Sequence, residues 1–128
     1  MVNKLFLFIT ALVYGYLGSW ALFFPESFSE QVGLTINTDV GSGEIRSVYG
    51  GINLLVGLYS FLAIFKSKNE ELFFKILLFL ISGILLGRIV TAFFGEFSSI
   101  FLLYFTIFEI IYLVFLLVAL KKFQRKIF

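Results

Sequence analysis

The chain carries four long apolar runs separated by short polar connections. The runs cover about residues 5–24, 45–65, 72–94 and 100–120. Each run is close to the roughly 20 apolar residues that an α-helix needs to cross a bilayer core about 30 Å thick. The pattern therefore predicts an all-α integral membrane protein, a four-transmembrane-helix bundle forming a single membrane domain over residues 1–128.

The first run also resembles the apolar part of a secretory signal peptide, because Lys4 precedes it. However, the run continues to Phe24, and no small-residue cleavage site follows it. Pro25, the one proline of the chain, comes next, and proline cannot continue a helix from its interior. We therefore expect the first run to be a retained membrane span.

The connection between the first and second runs is the longest. Pro25–Val32 fits a short amphipathic helix with Phe28 on its apolar side and Gly33 as its C-cap. We expect this helix to lie at the membrane interface, over the outer end of the bundle. Residues 37–43 are predicted to be a turn-rich lead into the second span.

The composition agrees with a membrane protein and limits its chemistry. Hydrophobic residues make up 60% of the chain and charged residues 14%, against roughly 45–50% and 25% in soluble domains. The absence of cysteine and histidine removes thiol nucleophiles, disulfides, haem ligands and the commonest general base. The net charge of +2 does not suggest nucleic acid binding. We expect no cofactor and no metal, and an enzyme is the weakest function class.

The charged residues at the ends of the runs predict an orientation. Four spans put both termini on one side of the membrane, and that side carries most of the basic residues. These are Lys4, Lys66, Lys68, Lys75, Lys121, Lys122, Arg125 and Lys126. The other side carries mainly acidic residues, namely Glu26, Glu30, Asp39, Glu44 and Glu96. The positive-inside rule therefore predicts cytoplasmic termini. The basic tail either fixes this topology or also touches anionic lipid.

Three strongly polar groups fall inside the predicted spans. At 1.5 Å per residue, Asn53, Arg88 and Glu109 lie about 9–13 Å from the outer ends of their helices. Ionisable residues at such depths are costly alone and mark functional sites by default. Because Arg88 and Glu109 have opposite charges at similar depth, we predict that they form an ion pair.

Small and polar residues form stripes on the predicted helices. On the second span, six such residues fall within about 100° of arc. They are Arg46, Tyr49, Gly50, Asn53, Gly57 and Ser60. Small residues allow close helix approach in membranes. The residues predicted to serve helix packing are Gly15, Gly18, Gly50, Gly57 and Gly87.

The intramembrane polar groups support two interpretations. They either lock the helices together or line a polar pocket open to the outer face. The candidate ligand-binding residues are Arg46, Tyr49, Asn53, Arg88, Glu109, Tyr112 and Glu44. Glu44 fits equally well as the acid in a first helical turn capped at Ser42. If arginines outnumber acids at this level, an anionic or carbonyl-bearing ligand is expected.

Residues 43–51, Gly-Glu-Ile-Arg-Ser-Val-Tyr-Gly-Gly, resemble the opening of the second span in a bacterial family of small four-span membrane proteins, domain of unknown function 4345. The matching positions are Glu44, Arg46, Tyr49, Gly50, Gly51, Gly57, Gly87 and Arg88. Ser47 stands where alanine is common in the family. The similarity covers nearly the whole chain, while a looser similarity to DoxX-like proteins is architectural. The resemblance implies a bacterial cytoplasmic membrane and supplies no reaction.

Three functions follow from these observations. The leading hypothesis is binding of an amphiphilic or anionic small molecule or lipid, with membrane lipids as the expected partners. The alternative is a structural or accessory subunit, whose small-residue faces would also allow a homo-oligomer. The third is a small proton-coupled carrier that uses Glu109, since intramembrane acids can form proton relays.

Overall fold

The computed structural model of the protein describes residues 1–94 and 100–125, and within these residues it contains no β-strand. Its α-helices, in chain order, are α1 (Val2–Phe23), α2 (Pro25–Gln31), α3 (Asp39–Glu44), α4 (Ile52–Phe65), α5 (Glu70–Phe94) and α6 (Ile100–Arg125). A π-helical segment of seven residues, Ile45–Gly51, joins α3 to α4 without a break. A short 3₁₀ helix, Ser67–Asn69, precedes α5.

Among the described residues, four helices are long and apolar enough to cross a membrane. They are Val2–Phe23, Asp39–Phe65, Glu70–Phe94 and Leu102–Arg125. The second consists of α3, the π-helical segment and α4. The prediction of an all-α integral membrane protein with four membrane-spanning helices is therefore confirmed.

The second spanning helix begins at Asp39, six residues before the predicted span. Thr38 caps it, since the hydroxyl of Thr38 accepts a hydrogen bond from the Gly41 N–H at 3.1 Å. Asp39 is the acid in the first turn, where it complements the helix dipole. The prediction of a turn-rich lead over residues 37–43 is wrong, because a capped helix occupies most of it. The predicted cap at Ser42 is also wrong, and Glu44 is not a first-turn acid.

The chain divides into two compact units, and the first covers Met1–Ser67. In this unit glycines bring α1 and the second spanning helix into backbone contact. A Cβ built on Gly18 would overlap the backbone of Leu54, and one built on Gly57 would lie 2.6 Å from the Gly15 nitrogen. A Cβ on Gly50 would lie 2.9 Å from the Cα of Leu22. Larger side chains at these positions would push the two helices apart.

Helix α2 packs onto the end of this helix pair. Phe28 is buried with Ala21 and Ile45 in a small core, and its ring lies 5.6 Å from that of Trp20 in an edge-on arrangement. The predicted short helix is thus present, while its place at the membrane interface stays a prediction.

Gly33 ends helix α2 as predicted. Its φ of 76° is a conformation that side-chain-bearing residues rarely adopt. The Gly33 N–H bonds to the Glu30 carbonyl at 3.2 Å and the Leu34 N–H to the Ser29 carbonyl at 2.8 Å. These two bonds form a Schellman motif, which satisfies carbonyls that the helix end leaves free.

The second unit covers Lys68–Phe128 and contains α5 and α6. The two helices contact each other near the chain terminus, where the rings of Phe74 and Phe123 lie 5.7 Å apart. At the start of α5, Lys75 forms an ion pair with Glu71 at 3.0 Å, one helical turn away. The buried apolar residues of this unit include Leu77, Ile81, Leu116, Ala119 and Leu120.

Candidate functional site

Arg88 of α5 and Glu109 of α6 form a two-pronged ion pair inside the second unit. Arg88 Nε donates to Glu109 Oε2 at 3.2 Å, and Nη2 donates to Oε1 at 3.1 Å. The side chain of Glu109 is 8% exposed and that of Arg88 is 30% exposed. The pairing predicted from charge and depth is therefore present, and its geometry is the parallel fork that guanidinium and carboxylate groups favour.

This ion pair compensates both charges. Each carboxylate oxygen of Glu109 accepts one hydrogen bond from Arg88, so the acid presents its negative charge to its partner. Removing one member of a buried pair costs about 3–5 kcal/mol, because the remaining charge is left without compensation. The pair thus joins α5 to α6 at a point where the sequence is otherwise apolar.

Arg46 has a different environment, in the first unit. Its Nε donates to the Leu22 carbonyl oxygen and its Nη1 to the Ser42 hydroxyl, each at 3.3 Å. Leu22 lies in the last turn of α1, where backbone carbonyls have no partner within the helix. A cation is also favourable there, because the helix dipole places partial negative charge at the C-terminal end.

Both acceptors of Arg46 are neutral, and its side chain is exposed. In residues 1–94 and 100–125, the ion pairs are those of Lys75 with Glu71 and of Arg88 with Glu109. Arg46 is therefore an arginine held in place without a carboxylate partner in the described part of the chain. Glu44, two residues away, is exposed and forms no ion pair with it.

The π-helical segment holds Arg46 and Tyr49. Such segments are rare and occur often at functional sites, because the wider turn redirects side chains. Within it, the Ser47 hydroxyl donates to the Gly43 carbonyl at 3.0 Å. The hydrophobic pattern of the second span fits the regular period of 3.6 residues per turn and does not signal this segment. The Gly50-Gly51 pair at its end is the one local hint of unusual backbone geometry.

The other predicted ligand-binding residues lie in mixed environments. Tyr49 is 40% exposed, and its ring lies 5.6 Å from that of Phe28. Asn53 is half-buried, and its backbone lies against Gly18. Tyr112 is buried, with its ring 5.9 Å from that of Phe108.

The candidate residues fall into two groups, one in each unit. Arg46, Tyr49, Asn53 and Glu44 belong to the first unit. Arg88, Glu109 and Tyr112 belong to the second.

The predicted packing glycines divide in the same way. Gly15, Gly18, Gly50 and Gly57 all take part in the close contact between α1 and the second spanning helix. A Cβ on Gly87 would meet nothing within 4 Å in the part of the chain that the structure describes, and the same holds for Gly83. Gly83 and Gly87 have the spacing of a GxxxG motif, although the packing prediction from the sequence includes only Gly87 of the two.

Comparison with known proteins gives one match. A protein-family model described as Domain of unknown function (DUF4345) matches residues 2–120. No curated protein and no solved structure matches the chain significantly. The matched region includes both arginines described above.

Proposed function

The chain belongs to the DUF4345 family, whose description states no activity. We propose that it binds anionic amphiphiles through Arg46. The observation that carries this proposal is the difference between the two arginines. Arg88 has a carboxylate partner, whereas Arg46 is held by a carbonyl and a hydroxyl. Of these two candidate arginines, Arg46 is therefore the one whose positive charge is left for an external anion.

The hydrogen bonds of Arg46 position its guanidinium group without using all of its donors. A guanidinium has five N–H groups, and two of them bond to Leu22 and Ser42. Three N–H groups therefore stay available in a fixed orientation. Such preorganisation favours binding of phosphate or carboxylate, because less side-chain freedom is lost when the ligand arrives.

The position of Arg46 along the helices suits a lipid headgroup. Helix α1 has 22 residues, which gives a length of about 33 Å, close to the thickness of the bilayer core. Leu22, whose carbonyl oxygen accepts the hydrogen bond from Arg46, lies at the end of α1 that is opposite its N-terminus. The guanidinium is therefore expected at the level where phosphate groups meet the hydrocarbon.

A row of aromatic rings lies beside this level. The ring centres of Tyr16 and Trp20 are 5.9 Å apart, those of Trp20 and Phe28 are 5.6 Å apart, and Phe28 contacts Tyr49. Tyrosine and tryptophan favour the membrane interface because each combines an apolar ring with a polar group. The row offers apolar surface to the upper part of an acyl or isoprenoid chain whose headgroup binds Arg46.

The test is a lipid titration of the full-length protein in nonionic detergent. Bound phosphatidylglycerol and phosphatidylcholine are counted by native mass spectrometry for the wild type, Arg46→Gln and Arg46→Lys. A hydrogen bond to a charged group is worth about 1.5–3 kcal/mol, so Arg46→Gln is expected to lose about 10- to 100-fold in phosphatidylglycerol affinity. Arg46→Lys keeps the positive charge but cannot form two parallel hydrogen bonds to a phosphate group, so we expect an intermediate affinity.

The matched control is Lys66→Gln, which removes one exposed cation at the opposite end of the same spanning helix. We expect it to bind phosphatidylglycerol as the wild type does. Competition by inorganic phosphate distinguishes a headgroup site from a site for free anions. Equal phosphatidylglycerol affinity of Arg46→Gln and the wild type would overturn the proposal.

A structural role is supported by a separate observation, the bidentate pair of Arg88 and Glu109. This pair favours the alternative of a structural or accessory subunit for the second unit. A proton-coupled carrier would require the pair to open, because both oxygens of Glu109 accept hydrogen bonds from Arg88. The two roles are compatible, since Arg46 belongs to the first unit.

A further inference from the structure

Helix α6 is longer than a membrane span requires. Its 26 residues correspond to about 39 Å, against a bilayer core of about 30 Å. The predicted span ends at Leu120, and the helix continues to Arg125. The last turn of α6 is therefore expected to extend beyond the hydrocarbon while keeping a fixed helical geometry.

Three cations lie on one face of this helical extension. At 100° per residue, Lys121, Lys122 and Arg125 fall within about 100° of arc, and all three are exposed. We name them the α6 cationic face. The buried residues Leu116 and Ala119 lie on the other side of the helix.

The contact of Phe123 with α5 shows which side of the α6 extension faces α5. Its ring lies 5.7 Å from that of Phe74 in α5, in an edge-on arrangement. Phe123 lies about 150° around the helix from the centre of the α6 cationic face, by the same 100° period. The face therefore lies on the side of α6 that is turned away from α5.

The charges of this face have no carboxylate partner in the described part of the chain. The neighbouring cation on α5, Lys75, is already paired with Glu71. Cations near a helix C-terminus interact favourably with the dipole in any rotational position. The dipole alone therefore does not account for three cations grouped on the side opposite Phe123.

We propose that the α6 cationic face binds the phosphate headgroups of anionic phospholipids in the bilayer that holds the protein. The charge complementarity and the position just outside the predicted span favour this ligand over a soluble one. Polybasic segments beside a membrane gain attraction with each added Lys or Arg. This site belongs to the second unit and Arg46 to the first, so the proposal does not rest on Arg46.

The test measures phosphatidylglycerol binding to the full-length protein in nonionic detergent at two salt concentrations. The variant is the triple substitution Lys121→Gln, Lys122→Gln and Arg125→Gln. We expect a loss of about fivefold in affinity for each cation removed. We also expect the wild-type affinity of this site to fall with salt, because exposed charges are screened. Phosphatidylcholine binding should not change.

Two further variants serve as controls for this test. Lys66→Gln with Lys68→Gln removes two exposed cations between the second and third spans, and it should leave the affinity unchanged. Lys121→Arg with Lys122→Arg keeps the charge of the face and should bind as the wild type does, which separates charge from folding. Unchanged phosphatidylglycerol binding by the triple variant would overturn the proposal. So would an equal loss in the Lys66 and Lys68 variant, since net charge alone would then explain the binding.

Discussion

Arg46 donates its Nε–H to the carbonyl oxygen of Leu22 at 3.3 Å, so a side chain of the second spanning helix closes the C-terminal end of α1. The bond satisfies a carbonyl that α1 leaves unpaired, and it places a positive charge where the helix dipole favours one. It also fixes the guanidinium group. The same contact thus contributes to stability and holds the guanidinium group in the orientation that the proposed anion binding requires.

The close contact between α1 and the second spanning helix should not tolerate a methyl group at Gly18. We expect Gly18→Ala to lower the free energy of unfolding by about 1–3 kcal/mol, because the added Cβ overlaps the Leu54 backbone. Reversible unfolding in mixed micelles measures this change.

Gly87 offers the matched control for this substitution. Alanine there meets no neighbour within 4 Å in the described residues and has a higher helix propensity than glycine. We expect Gly87→Ala to be neutral or to stabilise by up to about 1 kcal/mol. If Gly87→Ala destabilises as strongly as Gly18→Ala, the packing described for α1 does not explain the effect.

The ion pair between Arg88 and Glu109 should show strong energetic coupling. We expect Arg88→Ala to cost about 3–5 kcal/mol, because it leaves the buried carboxylate of Glu109 without its partner, and Glu109→Ala to cost less, because the side chain of Arg88 is 30% exposed. The double variant should be less destabilised than the sum of the two, with a coupling energy of about 0.5–3 kcal/mol. A double-mutant cycle measures this energy, and additive effects would contradict a direct pair.

The hydroxyl of Thr38 should stabilise the first turn of α3. We expect Thr38→Ala to cost about 1 kcal/mol, because the Gly41 N–H loses its acceptor. Hydrogen exchange should rise in Asp39–Glu44 and not in α5. Thr35→Ala, in the exposed connection before the cap, serves as the control and should leave this exchange unchanged.

The hydrophobic pattern is a sound guide to the spanning helices. Their lengths follow from bilayer thickness, and Gly33 is identifiable as a helix end because glycine readily adopts a positive φ. Opposite charges at one depth also identify the partners Arg88 and Glu109, since either charge alone is costly in a membrane.

The environment of Arg46 follows from backbone geometry that the pattern does not encode. The pattern predicts too late a start for the second spanning helix, because Gly41 and Gly43 suggest a turn, whereas the Thr38 cap stabilises a helix there. The π-helical segment then changes the directions of side chains relative to a regular helix. Arg46 donates to a backbone carbonyl, and because every residue has one, this partner cannot be identified from the residue types in the sequence.

The most direct test supplies Arg46 with an internal carboxylate. The hydroxyl oxygen of Ser42 lies 3.3 Å from Arg46 Nη1, so Ser42→Asp places a negative charge beside the guanidinium group. Ser42→Asn adds nearly the same side-chain volume without the charge. Phosphatidylglycerol affinity of both variants is measured in the lipid titration. If the uncompensated charge of Arg46 binds the headgroup, Ser42→Asp should lose tenfold or more and Ser42→Asn should stay close to the wild type. Equal affinities of the two variants would contradict this role of Arg46.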